Sequence, residues 1–337
     1  MTKIIQAETC IILFIILCRA DYIQMLYDDR QFLEGRQPTG LHFCSLSRYN
    51  RNMQKGLVME GGAMRGMFTA GACDVLLENG IDFDGAIGVS AGATFGCNFK
   101  SKQIGRAIRY NKRFSHNWRY CSFRSFFLTG DLYGADFCYN QLPNKLDPLD
   151  YETYVSNPIK FYAVASDCRT GQPVIKELKT CDQNDLTWMR ASASMPLVSH
   201  VVKIDGYELL DGGMTESIPL KAFENMGYEK NLVILTQPRD FVKKPSSSLA
   251  LMKLALRKYP KIYQAMQKRH EVYNQEKAYV FEQEKAGKCF VICPETPLKI
   301  SRTEKDPEEL QRVYDRGRAE MQKKLQELRA FLSETGC

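Results

Sequence analysis

A serine flanked by two glycines is the first feature of this sequence that could support catalysis. Residues 88–92 read Gly-Val-Ser-Ala-Gly, which fits the pattern Gly-x-Ser-x-Gly with Ser90 at its centre. An apolar run precedes Ser90 and small residues follow it, so the pattern predicts a strand, a sharp turn and a helix. Short matches of this kind also occur in plain turns, but the strand-turn-helix setting favours a nucleophile. Because Gly88 and Gly92 leave room for a strained turn, we predict that Ser90 is that nucleophile.

A second glycine-rich segment lies between a predicted strand at residues 56–60 and a predicted helix at residues 67–77. Residues 61–66 of this segment read Gly-Gly-Ala-Met-Arg-Gly. Such a loop directs backbone N–H groups toward one point at a helix N-terminus, where a phosphate or a developing oxyanion is stabilised. The spacing differs from the dinucleotide fingerprint and from the P-loop. Acyl transfer is therefore favoured, and dinucleotide binding with Asp82 or Asp84 as the ribose ligand is the alternative.

A serine hydroxyl needs a base within hydrogen-bond reach to act as a nucleophile near neutral pH. A hairpin predicted around residues 205–206 delivers Asp211 to the end of a strand, and Gly212 and Gly213 follow it. A triad in the chain order serine, aspartate, histidine would pair Asp211 with His270. His270 lies in a charged helical run, however, and this setting favours a surface position over a catalytic one.

In chain order, the glycine-rich loop, the serine motif and the Asp-Gly-Gly segment resemble the patatin-like phospholipase family. The resemblance covers residues 55–236 and implies a serine-aspartate dyad that acts on lipid acyl esters without a histidine. It implies Ser90 as the nucleophile and Asp211 as the base. It also implies an oxyanion hole formed by backbone N–H groups of the loop, with Arg65 orienting it. The residues implied for this hole are Gly61, Gly62, Ala63 and Arg65. The remaining motif positions are Gly66, Gly88, Gly92, Gly212 and Gly213.

The loop departs from the family's pattern at one position. Ala63 stands where the family usually has a third glycine. Because the group used in catalysis would be a backbone N–H, we expect the methyl group to be tolerated unless this residue needs a positive φ.

Residues 103–109 and 129–134 resemble a bacterial branch of uncharacterised patatin-like proteins with a C-terminal extension. The predicted fold is accordingly α/β, a three-layer α/β/α sandwich on a mostly parallel central sheet. We expect three parts: an N-terminal leader outside the fold at residues 1–52, a hydrolase domain at residues 53–245, and a mainly helical extension packed on the core at residues 246–337.

Composition bounds the remaining possibilities. The chain has 337 residues, 44% hydrophobic content and a formal charge of +7, which suits a folded protein with a sizeable core. Its 12 cysteines are scattered without a repeating spacing, which predicts free thiols in a reducing compartment and hence a cytoplasmic location. Cys289 and Cys293 form the closest pair, and no histidine completes a zinc set. We expect no metal and no cofactor.

The segment 99–124 carries eight lysine and arginine residues and no acidic residue. Placed on one helix, four of these cations share a face: Lys102, Arg106, Arg109 and Arg113. Such a face is either solvated or attracted to anionic lipid headgroups, at about 1 kcal/mol per basic residue. Binding of single-stranded nucleic acid is less favoured because no RNA-binding signature accompanies it. We predict peripheral contact with an anionic membrane and no nucleic-acid partner.

The sequence thus predicts a serine lipid acyl hydrolase with a lipid ester as its substrate. The alternative is a protein of the same fold that has no catalytic activity and binds anionic lipid in a regulatory role. The presence of Ser90, Asp211 and the glycine-rich loop together favours the enzyme.

Overall fold

An eight-stranded sheet forms the centre of the protein. A computed structural model describes residues 53–333, which form one compact unit, and the predicted leader lies outside the described residues. The strands are β1 Gln54–Met59, β2 Gly85–Val89, β3 Lys160–Asp167, β4 Pro173–Glu177, β5 Val202–Ile204, β6 Tyr207–Asp211, β7 Tyr228–Ile234 and β8 Cys289–Ile292. Their order is β5-β6-β3-β2-β1-β7-β8, and β4 also pairs with β3.

Five of these strands, β3, β2, β1, β7 and β8, run parallel to one another, whereas β4 and β6 pair antiparallel with β3 and β5 pairs antiparallel with β6. Parallel strands bring their carboxyl ends to one edge of the sheet, which is where α/β proteins place their sites. Glu60 follows β1 at this edge and Ser90 follows β2. The mostly parallel sheet is confirmed.

Helices surround this sheet. They are α1 Gly66–Glu78, α2 Ala91–Lys100, α3 Arg106–Phe114, α4 Phe123–Thr129, α5 Tyr151–Ser156, α6 Gln183–Ser192, α7 Leu220–Asn225, α8 Leu249–Ala255, α9 Pro260–Lys285, α10 Pro307–Lys323 and α11 Leu325–Ser333. A π-helical segment spans Phe137–Leu146, and 3-10 turns span Ala63–Arg65 and Gly212–Met214. Within residues 53–333, none of the helices combines the length and the apolar character that crossing a bilayer requires.

The alternation of side chains along β1 shows why the fold has three layers. Leu57 and Met59 face one side, where they join a core with residues of α1 and α2. Val58 faces the other side and joins a second core with Phe223 of α7 and Tyr273 of α9. Both faces of the sheet are therefore covered, as a parallel sheet requires. The predicted α/β/α sandwich is confirmed.

Short sequence patterns explain where the hairpin between β5 and β6 turns and where helix α6 begins. The hairpin between β5 and β6 turns at Asp205 and Gly206, whose φ angles of 48° and 79° suit a tight turn. Helix α6 begins at Gln183. The reason is Asp182, whose carboxylate accepts a hydrogen bond from the backbone N–H of Asp185 at 3.0 Å and so caps the helix.

The prediction that four basic residues share one exposed helix face is wrong for Arg106. Its side chain is only 3% exposed. Its guanidinium donates to the backbone carbonyl of Asp147 at 3.1 and 2.5 Å, and to an asparagine amide oxygen at 2.8 Å. Arg109 binds the Asp147 carboxylate through two hydrogen bonds of 2.9 and 2.7 Å. Helix α3 begins only at Arg106, after Lys102, and these acceptors compensate the buried charge. Arg113 remains on the surface.

The C-terminal segment is built into the sandwich. Strand β8 pairs with β7, and α10 crosses α1 at very short range. A Cβ atom at Gly71 would collide with the carbonyl oxygen of Tyr314, and one at Gly317 would collide with that of Phe68. The Tyr314 hydroxyl also donates to the carboxylate of Asp74 at 2.6 Å. Glycine at both positions therefore lets the two backbones meet.

This crossing leads to a prediction about stability. Replacing Gly317 with valine should lower the free energy of unfolding by about 2–3 kcal/mol, because the added carbons overlap the backbone of α1. Ala319→Val is the matched control, since Ala319 is exposed on the same helix and the change should cost less than about 1 kcal/mol. Chemical denaturation of the two variants measures the difference, and equal stabilities would contradict the close crossing.

Candidate active site

Ser90 occupies a strained turn between β2 and α2. Its φ and ψ are 54° and −118°, a conformation that L-residues rarely adopt. Gly88 and Gly92 flank it at positions where any side chain would collide, at Gly88 with the backbone of Gly92 and at Gly92 with the backbone of Met59. The turn can therefore be this sharp only with glycine at both positions.

Helix α6 holds this turn from the other side. The backbone N–H of Ser90 donates to Oγ of Ser192 at 2.9 Å, and that hydroxyl donates in turn to the carbonyl oxygen of Val164 at 2.6 Å. Ser192 is fully buried. A single hydroxyl thus links the serine turn to strand β3.

Asp211 lies at the end of β6 and meets the serine directly. Oγ of Ser90 donates to Oδ2 of Asp211 at 2.7 Å, and the backbone N–H of Gly213 donates to Oδ1 at 2.8 Å. The backbone of Asp211 is fixed as well, since its N–H donates to the carbonyl of Ser194 at 2.8 Å. The structure therefore brings together the two side chains that the sequence singled out.

Burial makes the Asp211 carboxyl group a better base than an exposed one. Ser90 and Asp211 are 9% and 6% exposed. Desolvation raises the pKa of Asp211, while the hydrogen bond from Ser90, the positive charge of Arg269 and the N–H of Gly213 oppose that rise. The net shift is upward, so the carboxylate binds a proton more readily than aspartate does in water.

The glycine-rich loop lies directly beside the serine. A Cβ atom at Gly61 would stand 3.1 Å from Cβ of Ser90, which shows how closely the loop approaches. Among residues 53–333, no acceptor pairs with the backbone N–H groups of Gly61, Gly62 or Ala63. Ala63 has a φ of 48°, so this position does need the left-handed conformation, which costs alanine about 1–2 kcal/mol.

Glu60 anchors this loop to two distant parts of the chain. The carboxylate is 1% exposed. Oε2 accepts the backbone N–H of Thr236 at 2.6 Å, and Oε1 accepts the hydroxyl of Tyr273 from α9 at 2.9 Å. Arg65, which belongs to the loop, also donates from Nε to the hydroxyl of Thr236 at 3.5 Å. The loop is thus tied to the strand end after β7 and to the C-terminal segment.

No histidine within the described part of the chain reaches the dyad. His270 lies 3.7 Å from Glu271, its neighbour on α9, and His200 contacts the carbonyl of Thr129. His116 is exposed. The His270 side chain is partly buried, at 22% exposure, and His42 lies outside the residues that the structure describes.

Two clefts meet at Ser90 and Ala63. The empty volumes of the two clefts, measured out to their openings to solvent, are about 880 and 1150 Å³. Each is sufficient for a small lipid. The first, here called the apolar cleft, is lined by residues such as Phe95, Leu142, Leu186 and Met189. The second, here called the basic cleft, contains Asp211 and four cationic side chains: Arg65, Lys243, Arg269 and Arg302.

A serine on a strained turn after a parallel strand, bonded to a buried aspartate, defines an α/β protein with a serine-aspartate site. Comparison with known families agrees with this class. Residues 57–224 match the family of patatin-like phospholipases, and residues 259–333 match a domain of unknown function (DUF6363). The chain belongs to the patatin-like phospholipase family.

Several relatives share the first part of the chain. It is 30% identical over 194 residues to the uncharacterized protein YjjU of Escherichia coli, a match covering 56% of this chain and 54% of that protein. It is 27% identical to the putative patatin-like phospholipase domain-containing protein M110.7 of Caenorhabditis elegans and 25% identical to lysophospholipase NTE1 of Debaryomyces hansenii. These matches cover 57% and 55% of this chain but only 17% and 12% of those proteins.

The chain therefore spans about half the length of the bacterial relative and less than a fifth of the other two. Among solved structures, it is similar to VipD from Legionella pneumophila, with 12% identity and a TM-score of 0.42, over 82% of this chain and 67% of that chain.

Some residues of the site were not found from the sequence. Ser192 carried only a weak signal, a run of small residues at positions 191–194. Glu60 could have been noticed as an acid at the end of a buried strand. Arg269 and Lys243 carried no distinguishing signal, because both lie in charged or polar stretches far from the motifs in sequence.

The role of Ser192 can be tested by stability. Ser192→Ala leaves a buried N–H of Ser90 without its acceptor and should lower the free energy of unfolding by about 1–3 kcal/mol. Thr187→Ala on the same helix is the control, because its hydroxyl makes a solvent-exposed bond to Gln183 and the loss should stay within about 0.5 kcal/mol. Denaturant titration compares the two, and an unchanged Ser192→Ala protein would show that this hydroxyl does not hold the turn.

Proposed function

We propose that this protein is a serine lipid acyl hydrolase in which Ser90 attacks a carboxylic ester and Asp211 acts as the base. The observation that carries the proposal is the 2.7 Å hydrogen bond from Oγ of Ser90 to Asp211, on a strained turn that opens into two clefts. Membership of the patatin-like phospholipase family supports a lipid ester as the substrate.

In the first step, Asp211 accepts the hydroxyl proton as Oγ of Ser90 attacks the carbonyl carbon. The carbonyl oxygen becomes an oxyanion, for which the unpaired N–H groups of Gly61, Gly62 and Ala63 are the nearest candidates. One such donor is worth about 3 kcal/mol of transition-state stabilisation. Because Glu60 fixes the loop, these donors need no rearrangement during the reaction.

Acylation is completed when protonated Asp211 gives its proton to the departing alkoxide, which leaves as an alcohol while the acyl group stays on Ser90. A water molecule then attacks this acyl group, and Asp211 accepts a proton from the water. When the bond between the acyl carbon and Oγ breaks, Asp211 returns that proton to Oγ of Ser90 and the carboxylic acid is released. The apolar cleft accommodates the acyl chain, and the basic cleft faces the leaving alcohol.

The dyad can be tested by substitution. Ser90→Ala should abolish labelling by a fluorophosphonate probe, and Asp211→Asn should lower kcat/KM for p-nitrophenyl esters by roughly 10²–10⁴-fold, because asparagine cannot accept the proton. Asp315→Asn, an exposed substitution on α10, is the matched control and should retain full activity. Circular dichroism establishes that each variant is folded.

Two results would refute this mechanism. If the Asp211→Asn variant retained full esterase activity, Asp211 could not be the base. Absence of labelling in folded wild-type protein, with and without anionic vesicles, would favour the lipid-binding protein without catalytic activity.

The raised pKa of Asp211 predicts the pH dependence of the reaction. Only the deprotonated carboxylate accepts a proton, so kcat/KM should fall at acid pH with a midpoint above about pH 4, the ordinary value for aspartate. The positive charge of Arg269 lowers this pKa, and Arg269→Gln should therefore move the midpoint to higher pH. Rates with p-nitrophenyl butyrate between about pH 4 and 8 measure both effects. A midpoint that Arg269→Gln leaves in place would assign the acid limb to another group.

A further inference from the structure

The basic cleft holds more positive charge than the protein itself neutralises. Arg65, Lys243, Arg269 and Arg302 line it together with Ser90. Within residues 53–333, none of the four cations lies within 4.0 Å of a carboxylate oxygen. Many arginines elsewhere on the described surface do have such a partner, including Arg239 and Arg318.

Two carboxylates line the same cleft, but both are occupied. Glu60 accepts hydrogen bonds from Thr236 and Tyr273, and Asp211 accepts them from Ser90 and Gly213. Four cations minus two carboxylates leave a formal charge of about +2 around the cleft. This charge is available to an anionic group of a ligand.

Two of the cations are held in position by the fold. Nε of Arg269 donates to the backbone carbonyl of Gly213, next to the catalytic aspartate. The backbone of Lys243 is clamped by Asn274, with bonds of 2.9 and 3.0 Å, and its ammonium lies 3.9 Å from the centre of the Tyr273 ring. Such positioning lowers the entropy lost when an anion binds.

The four cations line one cleft, and their charges oppose one another. Burial and the positive charges of Arg269, Arg65 and Arg302 together lower the pKa of Lys243 to about 7, against the opposing attraction of Glu60. The pKa of Arg269 is also lowered, by burial and by Arg302 and Arg65, against the attraction of Asp211. A bound anion would relieve this repulsion.

We propose that Arg65, Lys243, Arg269 and Arg302 form a subsite for the phosphate of the substrate's headgroup, and that the C-terminal part of the chain supplies most of this subsite. The proposal rests on the hydrolase function above. Arginine and lysine are the side chains that recognise phosphate. With the acyl chain in the apolar cleft and the ester at Ser90, the glycerol and its phosphate occupy the basic cleft. A neutral glyceride would leave the cations uncompensated.

Most of this subsite comes from outside the patatin-like part of the chain. Lys243, Arg269 and Arg302 all follow residue 224, where the match to the family ends, and two of them lie in the domain of unknown function at residues 259–333. The assignment therefore gives that C-terminal domain a role, which is recognition of the headgroup for a catalytic site built by the rest of the protein.

Ether lipids test the subsite without requiring catalysis, because they contain no ester. The dissociation constants of 1-O-hexadecylglycerol 3-phosphate and 1-O-hexadecylglycerol are measured by calorimetry in the same nonionic micelles, at physiological salt. Wild-type protein should bind the phosphate-bearing ether at least about tenfold more tightly. Lys243→Gln and Arg302→Gln should each lose most of that preference. Lys244→Gln, which removes an exposed charge beside Lys243, should retain it.

The possible results distinguish the hypothesis of a headgroup subsite from the hydrolase hypothesis and from a site that binds any free anion. Equal binding of the two ethers, or a preference that Lys243→Gln and Lys244→Gln reduce alike, would overturn the proposal. Inorganic phosphate binding as tightly as the phosphate-bearing ether would overturn the assignment to a lipid headgroup. A clear preference in a protein that shows no fluorophosphonate labelling would leave the subsite standing and refute the hydrolase.

Discussion

The conformation of one residue determines much of this structure. The backbone of Ser90 adopts a φ of 54°, and a strained residue of this kind costs about 1–3 kcal/mol. This strained conformation directs the hydroxyl of Ser90 away from the sheet and toward Asp211. Two glycines remove the steric obstacles, a buried hydroxyl of Ser192 satisfies the N–H, and the parallel sheet provides a rigid base. Each of these features is needed only because the serine stands at this apex.

The second constraint is electrostatic. In the proposed mechanism Asp211 must be basic enough to accept a proton, yet it lies near cations that favour its ionised form. Burial shifts its pKa in the opposite direction and outweighs them. The cations can therefore surround the site without making the carboxylate a poor base. This balance depends on α9, which supplies both Arg269 and the Tyr273 hydroxyl that holds Glu60.

The sequence located the parts of the site that are encoded locally. The turn at Ser90 and the strand end at Asp211 are marked by glycines within two residues, and the resemblance to patatin-like phospholipases implied a mostly parallel sheet. Ser192, Glu60 and Arg269 were missed because their roles depend on contacts between residues far apart in the chain. Arg106 was misplaced for a related reason. Helical periodicity assumes that charge faces water, but the carbonyl of Asp147 was available to accept the guanidinium inside the protein.

The position of Arg269 and Arg302 along the chain also sets the order in which the site can be assembled during synthesis. The strands that carry Ser90 and Asp211 leave the ribosome first, whereas Arg302 follows Asp211 by 91 residues. At about 5–20 residues per second, this interval lasts roughly 5–18 s. At the start of this interval the nascent chain contains Ser90, Asp211 and Arg65, and the basic cleft has all four cations only when Arg302 has been added. A ribosome-bound chain thus has an incomplete candidate site until its C-terminal helices have been made and have folded onto the rest of the protein.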